Sequence, residues 1–183
     1  MLVLVTVWGI MKCELCGGET EILKGQDWHY TESGLDNVYL SNVEVRTCAT
    51  CKAKSPRIPR IKQLHAAIGR AIALQKIPLS GKDARYLRKH LGLPAKEWAV
   101  LLRIPPETLS RWENDKQAIG AQSDSLIRAL YFLKLAEAGH PIPDHAVEEM
   151  AAIVAGSSET LSLLINVDNP NVYSYRSNEQ LVA

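Results

Sequence analysis

Four cysteines are the residues whose type and spacing could do chemistry: Cys13-Glu14-Leu15-Cys16 and Cys48-Ala49-Thr50-Cys51, two C-x-x-C pairs separated by thirty-one residues. Each pair forms a tight knuckle that aims two thiolates at one point, and two knuckles complete a tetrahedral site. The pattern predicts one structural Zn2+ held by Cys13, Cys16, Cys48 and Cys51. Gly17-Gly18 after the first pair lets the backbone turn without a Cβ clash. Four sulfur ligands would close the coordination sphere, so no catalysis at the metal is expected. Iron at the same site, two disulfides or free core thiols are the alternatives. A redox role fits poorly, because two such pairs occur and neither sits in a βαβ pattern.

The second constellation runs from Pro94 to Lys116. A short helix, a turn of three or four residues and another short helix suit a reader of the DNA major groove. Pro94 opens the first helix, with Trp98, Ala99 and Leu102 inward, and Pro105-Pro106 open the second, with Leu109 and Trp112 inward. Ala99 is small enough for the two helices to cross closely, and Leu102, Ile104, Leu109 and Trp112 form their shared core. Glu107, Thr108, Ser110 and Arg111 then point outward, and Lys116 closes the segment. Arg111 is the candidate for a bidentate contact to guanine, Thr108 and Ser110 for phosphate or bases, and Lys96 for phosphate. A helical bundle with the same spacing is the alternative.

Charge distribution favours a polyanionic partner. Residues 52–90 hold eleven Lys/Arg against one Asp, whereas residues 1–51 hold three against seven and residues 121–183 three against eight. A solvated helix face normally mixes signs, so Arg57, Arg60, Lys62, Arg85, Arg88 and Lys89 are expected as a group to supply phosphate contacts. The net charge of +1 conceals this asymmetry. The sequence offers no open metal site, no H-x-E paired with P-C-x-x-C, no phosphate loop and no catalytic triad, so an enzyme is not expected.

These residues need elements to position them. With 46% hydrophobic and 22% charged residues the chain can pack a core. The fold class expected is α+β: a small strand-rich zinc module followed by an all-α helix-turn-helix domain. Residues 1–10 are an uncertain extension, 11–52 the zinc module, 53–79 a basic linker and spacer helix, 80–139 the helix-turn-helix domain, and 140–183 a C-terminal helix and loose tail. Tyr30 to Cys48 reads as short strands. Val38 and Leu40 share one parity and Val43 and Val45 the other, so a bulge or tight turn is expected near Ser41-Asn42. Ile61, Leu64, Ile68 and Ile72 stripe a helix over 61–75. Ser80 and Asp83 resemble a capping box ahead of a helix that Gly92 ends. Residues 122–138 form a longer helix with Leu126, Ile127, Leu130 and Leu133, and 144–155 one more.

Residues 1–10 are apolar but too few to span a bilayer, which needs about 20. They carry neither a basic n-region nor a small-residue cleavage site. They are either an over-extended start ahead of Met11 or an extra edge strand at Leu2 to Val7. A cytoplasmic location is expected, where paired cysteines more often hold metal than form disulfides.

Ser110-Arg111-Trp112-Glu113-Asn114-Asp115-Lys116 resembles the end of the recognition helix in Xre/Cro-type repressors. Together with Met11-Lys12-Cys13 to Cys51 and the strand-rich segment Tyr30 to Val45, it resembles the MqsA (YgiT-type) antitoxin family over residues 11–138. The resemblance implies a homodimeric repressor that binds a palindromic double-stranded DNA operator through its C-terminal domain. In antitoxin members the zinc module binds the toxin. By motif position, Arg111 would be the base-contacting arginine and Glu107 another base-facing residue. Asp115 stands where glycine is usual, a position Asp tolerates better than most residues. Pro105 and Pro106 stand where polar contact residues often sit, and residues after 140 have no counterpart. The competing function is a protein-interaction module whose zinc domain neutralises a toxin or other basic protein, with DNA binding secondary.

Overall fold

The computed structural model describes residues 12–151, 161–170 and 173–177. In chain order the elements are β1 (Thr20–His29), β2 (Val38–Cys48), β3 (Lys54–Arg57), α1 (Ile61–Leu74), α2 (Gly81–His90), α3 (Ala95–Leu101), α4 (Pro106–Glu113), α5 (Ala121–Glu137), α6 (Ala146–Ala151), β4 (Leu161–Asn166) and β5 (Tyr173–Ser177). The fold is mixed α+β, a small sheet with several helices. Among the described residues no helix is long and apolar enough to cross a membrane. Residues 1–10, and with them the two readings of that segment, lie outside the described residues.

β2 is the centre of the sheet. β1 runs antiparallel along one edge; β3 pairs with Glu44–Thr47 and β4 with Val38–Ser41 along the other. Val38, Leu40, Val43, Val45 and Cys48 face the core. The parity change expected near Ser41-Asn42 is a bulge: Asn42 takes a left-handed φ of 62°. Gly25 in β1, at φ 69°, supplies a second bulge. The register slips at Leu23/Gln26 and again at Gln26/Trp28, so the two irregularities compensate and pairing resumes at Trp28↔Leu40.

β1 lies ahead of the stretch that reads as strands. Its side chains are exposed along most of its length, including Ile22 and Leu23, so no alternation marks it. Leu161 to Val167, the patterned part of a segment expected to be a loose strand or a frayed tail, contains a paired strand: β4 pairs parallel to β2, with Val38 opposite Leu163 and Leu40 opposite Ile165. Leu163, Ile165 and Val167 are buried, and their period of two extends the core face of β2.

α1 is more than a spacer. Leu64, Ile68 and Ile72 are buried as the stripe requires, and Ala67, Gly69, Ala71 and Ala73 are buried as well. Only a helix enclosed on several sides hides so many small residues. It packs against α2, α5 and α6 within a core continuous with the sheet. At the start of α2 the capping box forms: Ser80 Oγ accepts from Asp83 N at 3.1 Å and Asp83 Oδ2 accepts from Ser80 N at 2.9 Å. Gly92 and Gly139 end α2 and α5 in left-handed geometry.

In α5 the inward face differs from the apolar reading. Asp124, Ile127, Arg128 and Tyr131 are buried, whereas Leu126 and Leu133 are exposed. Charged residues can turn inward here because they are paired: Arg128 Nε donates to Asp124 Oδ1 at 2.6 Å, and its Nη atoms donate to the carbonyls of Ala73, Gln75 and Ile77 at 2.7–3.0 Å.

Gly81, first residue of α2, has no room for a side chain. A Cβ there would stand 1.9 Å from the carbonyl oxygen of Trp112. Gly81→Ala is expected to push α4 away from α2 and to destabilise the chain by about 1–3 kcal/mol or more. Chemical denaturation checks this; an unchanged midpoint would show that the two helices are not held at this distance.

Candidate metal centre and nucleic-acid interface

The two C-x-x-C knuckles are built alike. Cys13 N donates to Gly18 O at 2.8 Å and Cys48 N to Ala53 O at 2.9 Å; Gly17 N donates to Cys13 O at 2.8 Å and Lys52 N to Cys48 O at 3.1 Å. The residue after each second cysteine is left-handed, Gly17 at φ 72° and Lys52 at φ 60°. The first knuckle leads into β1, and the second joins β2 to β3, so the antiparallel pairing Thr20↔Cys48 brings them face to face. Gly18 permits the close approach, since a Cβ would lie 2.5 Å from Thr50 Oγ1.

The four sulfurs all lie within 4.8 Å of one another, with Cys13–Cys51 at 3.6 Å and Cys16–Cys48 at 3.5 Å. A tetrahedral ion with metal–sulfur bonds of about 2.3 Å separates its ligands by about 3.8 Å. These separations far exceed a disulfide bond of about 2.05 Å, and all four thiols are free. The cluster could therefore hold one metal ion. Its ionisation is uneven. The Cys51 backbone N–H, at 3.5 Å, is the main influence lowering the Cys48 thiol to about 6, against the effect of burial. Cys51 accepts from the Ala53 backbone, which favours its thiolate, but the Cys16, Cys48 and Cys13 thiols outweigh this and push it up to about 12. Thiols that crowd one another so closely need a cation before all four can ionise.

α3 and α4 are joined by residues 102–105. Arg103 is left-handed at φ 54°, and Ile104 N donates to Ala99 O at 3.0 Å, closing α3. Trp98, Ala99, Leu102, Leu109 and Trp112 are buried and Ile104 packs beside them. Of the six residues singled out for DNA, Lys96, Glu107, Ser110, Arg111 and Lys116 are exposed and Thr108 is half-buried. Among the described residues Lys96, Glu107, Arg111 and Lys116 make no hydrogen bond or ion pair through their side chains. Ser110 instead accepts from Asn114 Nδ2, through its carbonyl at 2.7 Å. Asp115 adopts the left-handed φ of 54° its position demands, and its Oδ1 accepts from Gly81 N at 3.2 Å. Asp here does what glycine cannot: it ties the end of α4 to the start of α2.

Glu113 is the residue that the motif contains but outward-facing contacts do not explain. It is buried and accepts two bonds from Arg88, both at 2.7 Å, while Arg85 Nε approaches at 3.3 Å. This fork fixes α4 on α2 and so sets the direction in which Arg111 projects. The signal available in the sequence was a lone acid in an otherwise apolar or exposed helical turn.

The basic stretch is less free than its charge count suggests. Arg88 and Arg85 are engaged by Glu113, Arg57 by Glu44 at 3.0 Å, and Arg60 by the carbonyl of Asp168. Of the six expected phosphate ligands only Lys62 and Lys89 are without such partners among the described residues. Three of the six are thus paired with acids elsewhere in the chain and a fourth, Arg60, with a backbone carbonyl.

The chain matches no family model, no curated protein and no solved structure.

Proposed function

We propose that this chain is a zinc-stabilised regulator that binds a specific double-stranded DNA site through α3 and α4, with the four-cysteine ion fixing the module ahead of them. The observation that carries the reading is the outward face of α4. Arg111 and Glu107 stand exposed and unpaired beside Lys96 of α3, while Glu113 on the opposite face anchors the helix. Arg111 would take guanine, Lys96 and Lys116 phosphate, and Thr108 and Ser110 either. A closed set of four soft thiolates suits borderline-soft Zn2+ and would leave it structural.

The resemblance to Xre/Cro-type repressors and the MqsA (YgiT-type) family supports a homodimer on a palindromic operator. Leu126, Leu130 and Leu133 form an apolar stripe on the outer side of α5 that would suit the dimer contact, with Leu126 and Leu133 exposed. The test is selection of bound duplexes from a random pool, followed by titration. Arg111→Ala is expected to lose about 1–3 kcal/mol of discrimination at one base pair. Lys96→Ala should weaken all sequences alike and reduce the salt slope by about one. Equal operator binding by Arg111→Ala and the parent would reject this contact.

A second reading has an observation of its own. Ile22 and Leu23 are exposed on β1, at the edge of the sheet among the described residues, in a module rich in Asp and Glu. A basic protein, a toxin in the antitoxin reading, would fit that edge. An Ile22→Glu/Leu23→Glu chain that still binds operator but no longer co-purifies with a neighbouring gene's product would establish this role.

A further inference from the structure

Lys62 and Lys89, the two of the six expected phosphate ligands without a partner among the described residues, line one cleft. It has a volume of about 960 Å³ and lies between α1, α2, the Ser33–Gly34 turn and the segment 140–143. Lys62, Arg70, Lys82, Arg85 and Lys89 line it, and no Asp or Glu does. Lys82 is paired outward with Asp36 and Arg85 with Glu113, whereas Lys62 and Lys89 are exposed and make no ion pair among the described residues.

His65, Tyr86 and His90 line the cleft, as the middle of a row in which Tyr30, His65, Tyr86, His90 and Tyr131 follow one another with centroids 5.9–6.2 Å apart. Their polar atoms are matched to one another. Tyr86 Oη donates to His65 O at 3.1 Å, so it accepts from His65 Nδ1 at 2.8 Å; His65 Nε2 then accepts from Tyr30 Oη at 3.0 Å. This arrangement uses neutral His65, and burial does hold its pKa below the usual imidazole value. His90 Nδ1 meets Tyr131 Oη at 3.0 Å. Burial likewise lowers His90, followed by the charges of His65, His140 and Arg70. The three rings that line the cleft are therefore uncharged, and each lies within 13° of parallel to the next. Ile61 and Ile142, two of the large apolar side chains exposed to solvent, also line the same cleft.

An apolar, ring-lined hollow with uncompensated cations at its rim is the complement of an amphipathic anion. We infer that this cleft binds a small organic molecule with a flat apolar or aromatic body and one anionic group, a carboxylate, sulfonate or phosphate monoester. Stacking would take the body, and Lys62 and Lys89 the charge. The concavity and its apolar lining favour this over a nucleic-acid backbone, which brings no apolar body to fill it. The inference does not depend on DNA binding.

The test uses the full-length chain and naphthalene-2-sulfonate as probe, titrated by calorimetry and by the ring signals of His65 and His90 in NMR spectra. Saturable one-to-one binding with shifts at both rings is expected, weakened about tenfold or more in Lys62→Glu/Lys89→Glu. Those lysines are exposed, so the variant should keep the parent's melting temperature. Neutral 2-naphthol should bind about tenfold more weakly than the sulfonate. Absence of saturation at millimolar probe, or equal affinity of parent and variant, would overturn the inference. So would a variant that loses affinity for random-sequence duplex at low salt yet binds the sulfonate unchanged, since the cleft would then be a phosphate surface.

Discussion

Cys48→Ser is expected to leave the chain without a stoichiometric metal ion and with β1, β2 and β3 no longer stably paired. Cys48 is the buried member of the set, at the end of the central strand, with Thr20 of β1 opposite it and Lys54 of β3 beside its neighbour Thr47. A serine hydroxyl binds a soft or borderline cation poorly, and the three remaining thiols cannot close a tetrahedron. Structural zinc in finger peptides is bound with about 10–16 kcal/mol, as much as the whole stability of a small domain. β1 is nearly all exposed and buries little apolar surface of its own, so an ion bound at the cluster would contribute much of what holds it. Elemental analysis and far-ultraviolet circular dichroism check this. One ion per chain and an unaltered melting curve in the variant would show that the cluster is not a metal site. A chelator should reproduce the effect in the parent, most readily at low pH, where protons compete for the thiols.

Arg128→Met is expected to cost about 3–5 kcal/mol, the range for removing one member of a buried ion pair. The guanidinium is fully buried. It satisfies Asp124 and, at 2.7–3.0 Å, the carbonyls of Ala73, Gln75 and Ile77 at and beyond the end of α1. Met fills similar volume but leaves those acceptors and a buried carboxylate unpaired. The same carboxylate also accepts from Leu79 N at 2.5 Å, so the group that anchors the loop into α2 loses the guanidinium that holds it in place. For a chain of this length the melting temperature should fall by roughly 6–20 °C. Arg128→Met/Asp124→Asn should recover part of the loss, since the stranded charge is gone. A single variant that melts within a degree or two of the parent would show that the network is not a main support of the helical core.

Features that depend on neighbours in the chain were legible from the sequence. C-x-x-C spacing builds each knuckle, and the pairing of β1 with β2 brings the four sulfurs within 4.8 Å. Ser80 and Asp83 form their reciprocal cap, Asn42 absorbs the parity change, and Asp115 takes the left-handed turn after α4. β1 escaped because an edge strand exposed on both faces carries no alternating pattern. The pairing of β4 was not legible because its partner β2 lies more than a hundred residues away and parallel pairing leaves no turn signature.

What the sequence determined by itself is thus local: knuckles, caps, turns and helical stripes, which rest on dihedral preferences and side chains a few residues apart. Only the tertiary structure decided which charges serve the interior. Arg88, Arg128 and Glu113 are buried in pairs, Leu126 and Leu133 of the α5 stripe are exposed, and Lys62 and Lys89 alone of the six basic residues expected at phosphate are without a partner, at a cleft, among the described residues. The reason is that the burial of a charge is set by whether an opposite charge or a carbonyl meets it in space. Such partners, Glu113 for Arg88 or Gln75 for Arg128, come from other helices and loops, at separations no local pattern encodes.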